Sequence, residues 1–257
     1  MDIVIICLAA FITAILTFFS GFGLGTILTP VFMLFFPVDL AIALTGVVHF
    51  FNNLFKIMLV GKKANKGVLL RFGIPAVAAA FAGAWLLLHI PDSRPLFSYE
   101  MAGRAFEVYP VKFIISLLLI SFALMDIFPV FKKMQFGREK LPLGGLLSGF
   151  FGGLSGNQGA FRSAFLIKAG LSKEAFIGTG VVVSTFIDFT RLGVYATRFS
   201  SSGLTDNLLI VMLAAASAIS GAFLGNSLLK KVTINSIQTL VALMLILVSI
   251  ALGSGIL

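Results

Sequence analysis

Two stretches rich in glycine and polar residues interrupt otherwise apolar sequence, at residues 20–25 and 152–159, here called the first and second break. Glycine lets a ligand approach the backbone closely, and hydroxyl and amide side chains supply hydrogen-bond donors. A helix that begins at such a break presents unpaired N–H groups and the positive end of its dipole, which favour an anion. The candidate anion-binding residues are Ser20, Gly21, Gly23, Gly25, Thr26, Thr29, Ser155, Gly156, Asn157, Gln158, Gly159, Arg162 and Ser163.

Arg162 stands out among these residues because it is a charge within an apolar run, three residues after Gly159. Ionisable residues inside membrane segments are costly and are therefore candidates for function. A planar guanidinium can hold a small oxyanion through two parallel hydrogen bonds. Two alternatives stay open: Arg162 reaches the membrane interface, or it pairs with Asp188. For the glycines, the alternative is that small residues only permit close helix packing.

A second group of polar residues lies on two longer apolar segments. Asp188 and Arg191 are three residues apart, so on a helix they share a face and can neutralise each other. A histidine can carry a proton near neutral pH, although a lone membrane histidine is often a hydrogen-bonded packing residue. The candidates for proton coupling or gating are His49, Asn52, Asn53, Asp188 and Arg191.

The composition of the chain identifies the elements that must position these residues. Of 257 residues, 59% are hydrophobic and 11% are charged, whereas soluble domains carry about 25% charged residues. The formal charge of +9 lies mostly in short loops beside apolar runs, where it sets membrane orientation. We therefore expect an all-α membrane protein, which excludes water-soluble enzymes and nucleic-acid binders. The single cysteine, Cys7, allows no intrachain disulfide.

The apolar runs fall into two length classes. Two short runs, residues 27–36 and 160–169, each follow a break and reach only about half of a bilayer core as helix. We interpret both as half-helices. The longer runs, each of a length typical of a membrane-spanning helix, are residues 3–19, 40–60, 68–90, 111–131, 175–197, 204–229 and 234–257.

The chain has the pattern of a duplication. A shift of 134 residues places Gly25 on Gly159 and the tetrapeptide Thr-Gly-Val-Val of residues 45–48 on residues 179–182. The repeated break and half-helix are harder to obtain by chance than these identities. The predicted halves are residues 1–135 and 136–257, which together form one membrane domain.

Basic loops indicate the orientation of the halves. Segments 61–71 and 132–140 each carry four basic residues and at most one acid, so both are predicted to be cytoplasmic. Residues 141–169 number 29, too many for one crossing and too few for two, which favours a re-entrant hairpin. Each half is then a broken hairpin plus three crossings, giving about eight membrane segments in two inverted repeats, an architecture typical of secondary transporters. The rival is eight full crossings.

An intramembrane enzyme is a further alternative. Residues 153–156 spell Gly-Leu-Ser-Gly, a weak match to the serine motif of rhomboid proteases. No histidine follows His89, so a base for Ser155 is missing in the expected order. No metal-binding motif is present either. We predict no catalytic residue, no metal and no cofactor.

The order of motifs resembles the TauE/SafE family of sulfite exporters. The resemblance rests on Gly-Phe-Gly-Leu-Gly-Thr-Ile-Leu-Thr-Pro at residues 21–30, the second break, and Gly-Ala-Phe-Arg-Ser-Ala-Phe at residues 159–165. It implies a multi-pass permease of a prokaryotic-type inner membrane, transporting small sulfur-containing anions such as sulfite or organosulfonates. Leu24 in the first break, and Asn157 and Gln158 in the second, depart from the commoner glycine triplet.

The resulting hypothesis is a secondary transporter that exports small anions by alternating access around a midplane site. Its partners are the anionic substrate and the lipid bilayer, with no nucleic acid and no indication of an oligomeric state. The alternatives are a proton- or cation-coupled importer of another small solute, with Asp188 as its charge, or an intramembrane enzyme.

Overall fold

The computed structural model describes residues 2–20, 24–90, 94–128, 130, 136–198, 205–228 and 234–256. Within these ranges, the side chains of residues 19, 20, 126, 160, 198, 205, 228, 234–238, 240 and 241 lie outside the description.

The first half of the chain forms five helices and a small hairpin. The helices are α1 (Asp2–Ser20), α2 (Gly25–Met33), α3 (Val38–Val60), α4 (Lys66–His89) and α5 (Pro110–Ile127). Asn65 caps α4 because its side-chain Oδ1 accepts a hydrogen bond from the Val68 N–H, and a π-helical turn follows at Leu69–Gly73.

The second half repeats this order of helices. They are α6 (Leu141–Ser155), α7 (Gly159–Leu166), α8 (Lys173–Tyr195), α9 (Leu208–Leu228) and α10 (Ile234–Gly253). The fold is therefore that of an all-α membrane protein, as predicted.

One element was not predicted from the sequence. Strands β1 (Phe97–Met101) and β2 (Arg104–Val108) form an antiparallel hairpin between α4 and α5. Its turn residues Ala102 and Gly103 both have positive φ. The hydroxyl of Tyr99 donates to the carbonyl of Ser254 at 2.7 Å, which holds the hairpin against the end of α10.

Four of the described helical segments are long and apolar enough to cross a membrane. They are Val38–Lys63, Lys66–His89, Lys173–Tyr195 and Leu208–Ser227. Shorter apolar segments are Asp2–Phe18, Pro110–Met125 and Ala242–Gly253.

Both predicted short helices are present. Helix α2 has nine residues, all of them buried, and α7 has eight residues, so each is only about 12–14 Å long. Helix α2 ends at Met33, three residues earlier than the apolar run, because a turn at residues 34–36 leads into α3. The apolar run alone does not reveal this turn.

Helices α6 and α7 form a hairpin whose two ends lie side by side. Just before α6, the Arg138 Nε donates to the carbonyl of Ala169, which follows α7, at 2.6 Å. The rings of Phe136 and Phe165 stack with centroids 4.3 Å apart. The chain therefore leaves this hairpin at the end where it entered.

Glycines allow the closest helix contacts, as is common between membrane helices. A Cβ added at Gly145, Gly149 or Gly153 of α6 would overlap the backbone of α4. In the same way, a Cβ added at Gly221 of α9 would overlap the carbonyl of Phe11 in α1. Helix α4 thus packs on α6, and α9 packs on α1; α3 packs on α8, and α5 on α10.

Candidate functional site

The two breaks meet inside the molecule. A Cβ added at Gly25 would lie 3.1 Å from the carbonyl oxygen of Gly156, and the Thr26 hydroxyl donates to the Asn157 Oδ1 at 3.4 Å. Gly156 has a φ of +77°, a conformation that glycine adopts without steric cost. These four residues, Gly25, Thr26, Gly156 and Asn157, are called the break junction below.

Several polar atoms around the break junction have no hydrogen-bond partner among the described residues. They are the hydroxyls of Thr29 and Thr45, the Nδ2 of Asn157, and both side-chain polar atoms of Gln158. All four residues are buried. Because an unsatisfied buried polar atom is costly, these atoms are candidates for hydrogen bonds to a polar ligand.

Other predicted residues of the breaks have structural partners. Ser155 donates to the carbonyl of Phe151 at 2.9 Å and accepts from the Asn157 backbone N–H at 3.3 Å, so its hydroxyl shapes the second break. Gly159 starts α7, and Ser163 is half-buried farther along that helix. Gly21, Gly23 and the side chain of Ser20 lie outside the described residues.

Asp188 is the centre of a buried polar cluster between α3 and α8. Its Oδ1 accepts from the Arg191 Nε at 3.0 Å and also lies 3.0 Å from the Arg191 NH2. Its Oδ2 lies 2.6 Å from the His49 Nδ1 and accepts from the Asn53 Nδ2 at 3.0 Å. The predicted pairing of Asp188 with Arg191 is therefore present. The same carboxylate also contacts two polar residues of α3, His49 and Asn53.

Arg191 connects this cluster to the break junction. A Cβ added at Gly156 would lie 2.7 Å from the Arg191 NH1, and one added at Gly46 would lie 3.2 Å from its Cζ. Two glycines thus leave the space that the guanidinium occupies. Arg191 is fully buried, and its NH1 has no hydrogen-bond partner in the described part of the chain.

Arg162 lies in a separate small pocket, called the basic pocket. Its NH1 donates to the Ser184 hydroxyl, and Gly180 leaves room for its side chain. The pocket has a volume of about 30 Å³ and is lined by Arg162, Lys56, His49, Asn53, Gly180 and Ser184, among others. Ser184 and Arg191 are seven residues apart on α8, which places this pocket about 10 Å from Arg191 along the helix.

Lys56 contributes a further buried charge to the basic pocket. Its ammonium lies 5.1 Å from the centroid of the Phe18 ring, within the range of a cation–π contact. With the side-chain amide oriented to satisfy both groups, Asn52 donates to the carbonyl of Ala218 and accepts from the Lys56 Nζ at 3.3 Å. Asn52 therefore links the Lys56 ammonium on α3 to the backbone of α9.

The buried charges do not balance. Lys56, Arg162 and Arg191 are at most 6% exposed, and Asp188 is the single buried carboxylate among the described residues. An uncompensated charge is expensive in a low-dielectric interior. An anionic ligand would supply the missing negative charge.

A second, larger cavity lies at the opposite end of α3. Its volume is about 480 Å³, and its lining includes Asp39 near the start of α3 and Lys112 near the start of α5. Asp39 and Lys56 are 17 residues apart on α3, a distance of about 25 Å. Thr45 and Gly46, which border the break junction and Arg191, lie between these two residues on the same helix.

Three contributors to the site were not among the candidates from the sequence. Lys56 and Ser184 were not singled out from the sequence, and Thr45 was noted only as part of the repeat. The position of Lys56 could have marked it as a candidate, because it lies inside an apolar run, four residues before the end. A lysine there either extends to the membrane interface or is buried in the protein.

The sequence matches the family model described as sulfite exporter TauE/SafE over residues 6–252. The chain belongs to the TauE/SafE family. It is accordingly a multi-pass membrane permease of the type that exports sulfite and related sulfur-containing anions, in agreement with the resemblance drawn from the breaks. No curated protein and no solved structure matches the chain.

Proposed function

We propose that this permease exports a small sulfur-containing oxyanion, such as sulfite or an organosulfonate, from the cytoplasm across the inner membrane. The observation that carries the proposal is the excess of buried positive charge beside the break junction. Lys56, Arg162 and Arg191 face a single carboxylate, Asp188, and unpartnered donors lie close by. This combination suits a ligand that is negative and rich in oxygen atoms.

The proposed path of the anion passes two groups of residues. In the basic pocket, Arg162 and Lys56 supply charge and Ser184 supplies a hydroxyl. At the break junction, Asn157, Gln158 and the first N–H groups of α2 and α7 supply hydrogen bonds. Thr26, Thr29 and the glycines of both breaks form the surroundings. The Arg162 NH1 donates to the Ser184 hydroxyl at the edge of this path.

We further propose that residues 1–135 and 136–257 are two inverted repeats. The exchanged packing supports this arrangement: the first helix of each half packs on the fourth helix of the other half, α1 on α9 and α6 on α4. A pseudo-two-fold axis between the halves generates such reciprocal pairs. The side-by-side ends of the α6–α7 hairpin favour the re-entrant interpretation over eight full crossings.

Alternating access would open the site to one cavity at a time. The basic pocket lies toward the end of α3 that leads into the basic segment 61–71, which is predicted to be cytoplasmic. The larger cavity beside Asp39 lies at the other end. Export is favoured by the membrane potential, since one negative charge gains about 2.3 kcal/mol per 100 mV on leaving a negative interior. His49 stays the candidate for proton coupling.

The alternative functions receive less support from the geometry. In a cation-coupled importer Asp188 would bind the cation, but both of its oxygens already accept from or contact Arg191, His49 and Asn53. In an intramembrane protease Ser155 would be the nucleophile, but its hydroxyl donates to a carbonyl of its own helix.

The proposal is tested by flux measurements in liposomes. Purified protein is reconstituted, and the release of radiolabelled sulfite, an organosulfonate and chloride is followed. Arg162→Ala is expected to lower sulfite flux about 100-fold because it removes a charge-assisted contact. Arg104→Ala, on the exposed β2 strand, is the matched control and is expected to behave like the wild type. Undiminished flux in Arg162→Ala would refute the residue assignment, and no anion flux under any gradient would refute the function.

A further inference from the structure

We propose that Asp188 is a selectivity residue: it occupies Arg191 as a tethered anion, and a transported anion must displace it. This inference rests on the proposed function, because it assumes that an anion passes the break junction. In this role, the Asp188–Arg191 pair admits oxyanions and excludes halides.

Asp188 makes the contact that an arriving oxyanion would make. One of its carboxylate oxygens contacts both the Nε and the NH2 of Arg191, each at 3.0 Å. Both residues are fully buried. Asp188 therefore occupies the edge of the guanidinium formed by Nε and NH2.

The NH1 of the guanidinium faces the break junction. The Arg191 NH1 has no hydrogen-bond partner in the described structure, and a Cβ added at Gly156 would lie only 2.7 Å from it. The Thr29 hydroxyl and the Thr45 methyl group lie within 4 Å of a Cβ added at Gly25, and neither threonine hydroxyl has a hydrogen-bond partner among the described residues. An anion at the break junction would therefore approach the NH1 of Arg191 while Asp188 still contacts the Nε and NH2.

Asp188 also has a second set of partners that would keep it in place after displacement. Its Oδ2 is held by the His49 Nδ1 at 2.6 Å and by the Asn53 Nδ2 at 3.0 Å. These contacts come from α3, whereas Arg191 belongs to the same helix as Asp188. The carboxylate can therefore release Arg191 and keep its hydrogen bonds to α3. Losing every hydrogen bond would be prohibitively costly for a buried carboxylate.

The exchange favours some anions over others. A tethered group competes at a high effective concentration, so a ligand that offers a single contact displaces it poorly. An oxyanion offers several oxygen atoms and can bind the guanidinium through two parallel hydrogen bonds. Sulfite and sulfonates meet this requirement, and chloride does not.

The test compares sulfite and chloride flux in liposomes containing Asp188→Asn. This substitution keeps the shape of the side chain and removes the competing charge. We expect the ratio of chloride to sulfite flux to rise about tenfold and the KM for sulfite to fall about tenfold. Asp206→Asn, at an exposed position before α9, is the matched control with the wild-type ratio. If Asp188 is only a structural partner of Arg191, both fluxes fall together and the ratio stays constant, which would overturn the inference.

A second variant covers the case in which Asp188→Asn does not fold. Asp188→Asn combined with Arg191→Gln removes one charge of each sign, so it leaves no new unpaired charge. We expect this folded double variant to lose sulfite transport about tenfold or more, because Arg191 is the residue that receives the anion. Wild-type sulfite transport in the double variant would overturn the inference. Wild-type protein that carries no anion at all would overturn both this inference and the proposed function.

Discussion

Helices α3 and α8 occupy corresponding places in the two halves of the chain, yet they carry different chemistry. A shift of 134 residues maps His49 and Asn53 of α3 onto Val183 and Ile187 of α8. In the reverse direction, Asp188 and Arg191 map onto the apolar residues 54 and 57. Nevertheless, the polar residues of the two helices meet in one cluster, in which His49 and Asn53 contact Asp188.

The difference shows that the backbone arrangement and the site chemistry are under separate constraints. Small residues preserve the packing in both halves, where they let α6 approach α4 and α9 approach α1. The buried charged residues are divided between the proposed halves, with Lys56 in the first and Arg162, Asp188 and Arg191 in the second. In the proposed arrangement of two inverted repeats, a symmetrical scaffold would hold an asymmetrical set of charged residues.

The largest effect is expected where the two halves share their packing. Gly149→Val and Gly221→Val each place a side chain into the backbone of a neighbouring helix, at Ala76 and Phe11. Each is expected to destabilise the protein by about 3 kcal/mol, the upper range for overpacking. The measurement is the fraction of monodisperse protein left after heating in detergent.

Gly193→Val is the control for these two variants, because a Cβ at Gly193 meets no atom within 4 Å. It is expected to cost less than about 1 kcal/mol. If Gly149→Val lowers the fraction of monodisperse protein and Gly221→Val does not, the α6–α4 and α9–α1 contacts are not equivalent in stability. The comparison of the two halves would then fail.

A smaller effect is expected where the halves differ in charge. Lys56→Met removes one of the three buried cations while keeping an unbranched side chain. Sulfite flux in liposomes is expected to fall about tenfold, as after the loss of one charged contact. The equivalent position by the 134-residue shift is Thr190, and Thr190→Val should leave the flux unchanged. Equal losses in both variants would contradict the asymmetry of the site.

The smallest effect concerns the break junction. Thr26 and Asn157 come from opposite halves and share a hydrogen bond of 3.4 Å. A double-mutant cycle with Thr26→Val and Asn157→Leu should give a coupling energy of about 0.5–1 kcal/mol in thermal unfolding. Additive effects of the two substitutions would mean that the two breaks do not stabilise each other.

The sequence predicted the elements of the fold well, because helix length and hydropathy are local properties. The short helix after the second break was recognisable from glycine content and from the length of the apolar run. The break itself is shorter than the predicted residues 152–159, because residues 152–155 complete α6 and only residues 156–158 are non-helical. The β-hairpin after α4 was missed. Its five-residue strands are short, and their hydrophobic pattern is weak.

The site was predicted less completely, because it depends on contacts between distant segments. Arg162 and Asp188 were recognised as charges in apolar sequence, and Asp188 with Arg191 as a pair at helical spacing. Nothing in the sequence places Lys56 beside Arg162, since this neighbourhood depends on how α3, α7 and α8 pack. Thr45 was overlooked for a similar reason, because a threonine in a membrane helix usually satisfies its hydroxyl within that helix.

The central claim is that the buried positive cluster transports a negatively charged solute, and the sign of an imposed membrane potential tests it most directly. Proteoliposomes loaded with labelled sulfite are given a potassium diffusion potential of either sign, and the initial rate of sulfite release is measured. The account predicts faster release when the interior is negative and slower release when it is positive. Release that is faster with a positive interior, or equal for both signs, would contradict it.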